Sequence, residues 1–195
     1  EFFIDENGTT LDGTGVKVAI IDTGIDPFHP DFGGDLSTFT ASPRIKKTWN
    51  YSSYNPNQFL YTADTDITDK CGHGTHVASI LAGDGTMSGG LMKGVAPNAD
   101  LYIFKIFHRY YASHCSSYSY SSLWALEDAF DLDGDDSFET PADVINCSWG
   151  SDGHPDDRTS AITLQNLLEG INFESYSSGE EYIGGSENET IAVVS

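Results

Sequence analysis

Two short stretches of this chain hold residue types that can move protons. Asp22 closes the β-branched run 16–21 and is followed by Thr23-Gly24. A carboxylate at the end of a buried strand must find a hydrogen-bond partner or bear the cost of desolvation. An Asp ahead of a Gly is also an ordinary turn or capping residue. The second stretch is Gly72-His73-Gly74-Thr75-His76-Val77-Ala78-Ser79. A His between two glycines admits the close approach of another backbone. The positive end of a helix beginning there favours the neutral imidazole over the imidazolium. An imidazole that is neutral at rest and takes up a proton beside a carboxylate is what general-base catalysis requires. Asp22 precedes His73 by 51 residues. His76 follows His73 in a His-x-x-His pair, so Asp22, His73 and His76 also make up two histidines and one carboxylate, a metal-site alternative. That stretch has no Glu base, and histidines three apart at a helix start converge less well than histidines four apart.

Elements suited to carrying these residues recur along the chain. Residues 16–21, 44–51, 100–106, 143–148 and 190–194 read as strands. Residues 73–81 read as a helix with Val77, Ile80 and Leu81 on one face; 121–130 as a helix bearing Leu123, Leu126 and Phe130; 159–171 as another helix. Strand alternating with helix is the pattern of a parallel sheet covered on both faces, an α/β fold of three layers. Such sheets carry their chemistry at the carboxyl ends of the strands. That rule selects Asp22 after the first strand and Ser148-Trp149-Gly150 after the fourth. Residues 131–141 (Asp-rich) and 174–189 (rich in Ser, Gly and Glu) interrupt the periodicity and read as solvated insertions within one domain.

The motifs resemble those of subtilisin-like serine peptidases, the subtilases. Val18-Ala19-Ile20-Ile21-Asp22-Thr23-Gly24-Ile25-Asp26, then His29-Pro30-Asp31, is similar to the family's aspartate motif, and Gly72–Ala78 to its histidine motif. Gly94-Val95-Ala96-Pro97-Asn98-Ala99 resembles the segment entering the next strand, and Asp143–Gly150 the substrate-binding strand. The resemblance implies a subtilisin-like sheet with Asp22 and His73 as catalytic residues. It implies that Ser148, Trp149 and Gly150 bind an extended substrate, and that His76 is structural. The family's nucleophile lies in a Gly-Thr-Ser-Met-Ala motif, which these 195 residues do not contain; Gly85-Thr86-Met87-Ser88 has Met where the Ser belongs. The chain therefore reads as residues 1–195 of the front portion of one catalytic domain, ahead of the nucleophile and the oxyanion-hole Asn. The implied activity is a serine endopeptidase acting through Asp, His and Ser. The partners implied are protein or peptide substrates, the C-terminal remainder of the domain and, as an option, a propeptide. A binding module that presents residues 148–150 to peptides without hydrolysis is a further alternative.

Composition limits the partners. Nine Lys and Arg against 30 Asp and Glu leave a formal net charge of −21, which repels nucleic acid and anionic membrane surfaces. The apolar runs are strand-sized, far short of a membrane span. Three cysteines, Cys71, Cys115 and Cys147, are too few and scattered for a disulfide framework, and Cys71 reads as a small packed residue. Asn7, Asn50 and Asn188 each open an Asn-x-Ser/Thr triplet, which points to a secreted or extracellular setting. Asp131, Asp133 and Asp135 alternate like the start of a calcium loop, but Asp136 replaces the loop's Gly and Ala142 its Glu. Catalysis of this type needs no cofactor, and structural calcium is an option these residues do not support.

Overall fold

Runs of β-branched and aliphatic residues become the strands of a parallel sheet. The computed structural model describes residues 3–4, 6–52, 54–55, 60–61, 66–111, 114–117, 119–135, 139–149 and 191–194. Two short antiparallel pairs lie outside the main sheet: β1 (Phe3–Ile4) with β2 (Thr10–Leu11), and β5 (Tyr54–Asn55) with β6 (Leu60–Tyr61). The main sheet contains β3 (Lys17–Asp22), β4 (Ile45–Asn50), β7 (Asp100–Lys105), β10 (Val144–Cys147) and β11 (Ile191–Val194). Their order is β11-β10-β3-β7-β4, and all four pairings are parallel. A hairpin of β8 (Phe107–Tyr111) and β9 (His114–Ser117) follows β7. The helices are α1 (His73–Ala82) and α2 (Ser119–Ala129).

The central strand explains the layering. Side chains alternate between the faces of a strand, and both faces of β3 are covered. Ala19 and Ile21 pack with Phe104, Ala125, Leu126 and Ile145 on the α2 side. Val18 and Ile20 pack with Ala78, Ala82, Leu101 and Ile103 on the α1 side. A strand buried on both faces reads as an unbroken apolar run. By the same alternation, Asp22 falls on the face that α1 covers.

α1 meets the expected face in part: Val77 and Leu81 pack against the α1-side core, and Ile80 does not. Ile80 is 58% exposed, whereas Gly74, Ala78 and Ala82 are buried. The helix approaches the sheet on its smallest side chains, which turns the larger Ile80 outward. Tight contact demands this, since a Cβ at Gly74 would collide with the Gly24 carbonyl.

Other expectations are also corrected. Cys71 is disulfide-bonded to Cys115, which ties the turn before α1 to the β8–β9 hairpin. Asn50 is buried, its amide donating to Asp66 O and its Oδ1 accepting from Ser52, so it is no glycan acceptor in the folded chain. Residues 131–141 are not wholly solvated: Asp131, Leu132 and Pro141 are buried, and Leu132 joins the α2-side core. The helix expected over 159–171 and the insertion 174–189 lie outside the described residues. No helix among the described residues is long and apolar enough to cross a membrane.

Candidate active site

β3 delivers Asp22 to the carboxyl end of the sheet, where it is 1% exposed. A carboxylate there needs partners, and it has them. Thr23 N donates to Oδ1 at 2.6 Å, and His73 Nδ1 lies 2.8 Å from Oδ1 and 3.0 Å from Oδ2. The carboxylate accepts, so the proton of a neutral His73 sits on Nδ1. That leaves Nε2 with a lone pair, the state of a base ready to take a proton. The His73 side chain is about half exposed, 52%, while its partner is sealed away. A buried anion behind a solvent-reaching imidazole can fix the tautomer and stabilise the imidazolium once it forms.

Glycines make this meeting feasible. Gly72, ahead of α1, has φ +86, a left-handed conformation that favours Gly. Gly74 brings the first turn of α1 onto the end of β3, and its N–H donates to Thr23 Oγ1 at 2.8 Å. His76 is exposed on the helix surface. Among the described residues, one group of three His, Cys, Asp or Glu side chains brings its ligand atoms together, within 4.8 Å: Asp131, Asp133 and Asp135. Asp22, His73 and His76 do not form such a group. In the acidic loop, Lys47 Nζ already donates to the carbonyls of Leu132 and Asp133.

β10 ends beside β3, and Ser148 and Trp149 continue beyond the ladder. Ser148 Oγ donates to Asn146 Oδ1 at 2.9 Å. Trp149 turns its indole back onto the sheet, with Nε1 donating to Ile21 O at 2.8 Å. The ladder of β3 with β10 stops at Ile20, so this indole supplies a donor to the next carbonyl. The ring packs edge-on to Phe107, centroids 6.4 Å apart, against the α2-side core. Its polar end is therefore committed to main chain. Gly150 lies outside the described residues.

Nearby Cys147 is a buried free thiol. Burial, with the charge of Asp22 beside it, pushes its pKa up to about 12, so it remains a neutral packing residue. Ser88, in the loop after α1, uses its hydroxyl within that loop, donating to Gly85 O and accepting from Met92 N.

The turn that presents His73 is held by a residue that sequence reasoning missed. Asp69 accepts from the amides of Cys71, Gly72 and Thr75 and from the hydroxyls of Thr23 and Thr75. Burial alone raises its pKa, but the amides of Thr75, Cys71 and Gly72 outweigh that and hold it below the ordinary carboxylate value. The available signal was an Asp four residues ahead of His73, the type that binds backbone N–H groups just ahead of a helix.

Known proteins resemble this chain in sequence and fold. Serine protease AprX of Bacillus subtilis (strain 168) is 30% identical over 173 residues, covering 89% of this chain and 33% of the relative. Subtilisin of Bacillus sp. (strain TA39) is 31% identical over 154 residues, covering 78% of this chain and 31% of the relative. The chain thus spans about a third of the length of these two relatives. Among solved structures, sphericase shares 28% identity with TM-score 0.51, covering 78% of this chain and 43% of that one. The CspB protease of Clostridium perfringens has TM-score 0.56 at 23% identity over 83% of this chain and 34% of that one, a likeness of fold. The pattern of the subtilase family matches residues 13–195, and the chain belongs to that family.

Proposed function

We propose that this chain is the front portion of the catalytic domain of a serine endopeptidase. The observation that carries the reading is the 2.8 Å contact between His73 Nδ1 and the buried Asp22 carboxylate. In this mechanism a serine hydroxyl attacks the scissile carbonyl carbon as its proton passes to His73 Nε2. Asp22 stabilises the resulting imidazolium, and His73 returns the proton to the leaving amine. Water then hydrolyses the acyl-enzyme with His73 again as base. The nucleophile and the oxyanion Asn belong to sequence outside these 195 residues, where no Gly-Thr-Ser-Met-Ala run occurs. Ser148, Trp149 and Gly150 are proposed to flank an extended substrate, and no metal takes part in the chemistry.

An extracellular setting is part of this proposal. It is supported by the Cys71–Cys115 disulfide, a bond that persists in oxidising compartments. A relative named minor extracellular protease Vpr, 32% identical over 162 residues, supports it too.

The test uses the protein that holds this chain together with its continuation. Labelling of one serine by a fluorophosphonate, with casein cleavage that resists chelators, is the expected result. Activity abolished by chelators and restored by zinc moves the assignment to a metal enzyme. Peptide binding with neither labelling nor cleavage favours the binding module.

A further inference from the structure

We propose that Asp69 is a positioning residue for the Asp22–His73 pair, locking the end of β3 to the first turn of α1. The proposal rests on the reading of His73 as the base. Asp69 Oδ1 accepts from Thr23 Oγ1 at 2.8 Å, Cys71 N at 2.9 Å and Gly72 N at 2.7 Å. Oδ2 accepts from Thr75 N and Thr75 Oγ1, both at 2.8 Å. Its donors thus come from both sides of His73 and from the residue that follows Asp22.

Two threonines complete the lock. Thr23 gives its N–H to Asp22 Oδ1 and its hydroxyl to Asp69, and accepts the N–H of Gly74. Thr75 donates its hydroxyl to Asp69 and accepts the N–H of Asp26. The strand end that carries Asp22 and the turn that carries His73 therefore meet on one carboxylate. α1 has no cap from its own N-terminal residue, because Gly72 has no side chain to offer. Asp69 fills that role from outside the helix, with its charge at the positive helix end.

The carboxylate is itself braced. Asp69 N donates to Ile25 O, and Ile25 N to Ile67 O, which bind the segment to the chain just past β3. Lys105 Nζ, at the end of β7, donates to Asp66 O and Thr68 O. An anchor fixed from two strands suits a role in holding geometry. Misplacing a reacting group by roughly 1 Å costs up to about 100-fold in rate.

Asp69→Asn tests this in the protein that contains this chain and its continuation. The substitution keeps the size of the side chain, removes its charge and turns one acceptor into a donor. The measurements are melting temperature, kcat and KM on a peptide substrate, and the far-downfield proton resonance of the His73 Nδ1–H. The expected result is kcat lowered about 10–100-fold with KM little changed, and the resonance shifted or lost. Thr23→Val should shift the resonance and lower kcat in the same direction, and Thr23→Ser should restore both. A lower melting temperature with kcat and resonance unmoved would overturn the proposal, leaving Asp69 a structural residue only. If Asp69→Asn does not fold, the Thr23 pair decides: a Val variant with wild-type kcat and resonance overturns it. If the wild-type protein cleaves no peptide, the resonance still decides. A shift in the variants then supports Asp69 while the peptidase reading fails, and an unmoved resonance rejects Asp69 whatever the activity.

Discussion

In the proposed mechanism His73 and Asp22 divide one task between an exposed ring and a buried charge, which sets what each substitution does. On that proposal, His73→Ala removes the base and should lower kcat by about 10⁴–10⁶. Asp22→Asn keeps the volume but offers a donor where an acceptor is needed, favours the wrong tautomer, and should cost about 10⁴. Steady-state kinetics on a peptide substrate checks both, and a loss below tenfold in either would contradict the assignment. Cys147 gives a separate pH test. Its thiol is pushed up to about 12 in the folded chain by burial and by Asp22. The unfolded thiol titrates near 9, so the unfolded state loses its proton first. Its contribution is complete below pH ~9 and is lost as pH rises toward ~12, at about 1.4 kcal/mol per pH unit. Denaturant titrations of wild type and Cys147→Ala across that window should differ in slope by this amount; equal slopes would refute it. Asp22 and His73 were legible because each sits in a short local motif. Asp69 was not, because its five donors converge only after the turn closes. Trp149 was legible as a neighbour of the site, but not in its orientation, since its indole bonds a carbonyl 128 positions away.

At the level of elements, β3 and β7 were readable because both faces are buried, which leaves an apolar run that no exposed segment imitates. On α1, Val77 and Leu81 face the core as the periodicity predicts but Ile80 does not, since the closest approach to the sheet is made by Gly74, Ala78 and Ala82. Close approach dominates here. Gly74→Ala should therefore cost about 1–3 kcal/mol by overpacking, read as a fall in denaturation midpoint, and should loosen the contact between Asp22 and His73. An unchanged midpoint would mean that α1 can shift outward freely. The disulfide was hidden for another reason. Its partner Cys115 lies on the β8–β9 hairpin, whose position beside the turn before α1 no local pattern reveals. The bridge closes a sequence separation of 44. Chain entropy for a loop of that size gives about 3–4 kcal/mol. Reduction, or the Cys71→Ser/Cys115→Ser double variant, should lower stability by that order. It should also raise KM if the hairpin borders the substrate cleft. A melting temperature unaffected by reductant would show that the hairpin is held by packing alone.

Across the whole molecule, charge is out of balance, and three of the nine cations are engaged by backbone carbonyls. Lys105 is buried and holds the carbonyls of Asp66 and Thr68; Arg44 caps the last turn of α1 through Ala82 O; Lys47 bonds the 132–133 carbonyls. The exposed ion pairs among the described residues are Lys46–Asp100 and Lys70–Asp66, each worth at most about 1 kcal/mol. Most of the 30 acidic residues are thus left to repel one another, with a net charge of −21. Self-repulsion destabilises the compact state, and salt screens it over a Debye length of ~10 Å at ~0.1 M. Adding salt also weakens the two surface pairs, so the sign of the response depends on which effect is larger. Long-range repulsion among a large excess of like charges outweighs two local pairs. Raising NaCl from ~0.01 to ~0.5 M should therefore raise the melting temperature by several degrees, most steeply at the low end where the screening length changes fastest. Sulfate is the wrong salt for this test because it strengthens burial by exclusion from the surface. A melting temperature that is flat or falls with NaCl would mean that local pairs, including the helix-end charge at Asp69, outweigh the net charge. Replacing exposed Glu6 and Glu139 by Gln separates these outcomes: if repulsion dominates, the pair of substitutions raises the low-salt melting temperature and flattens the salt response together.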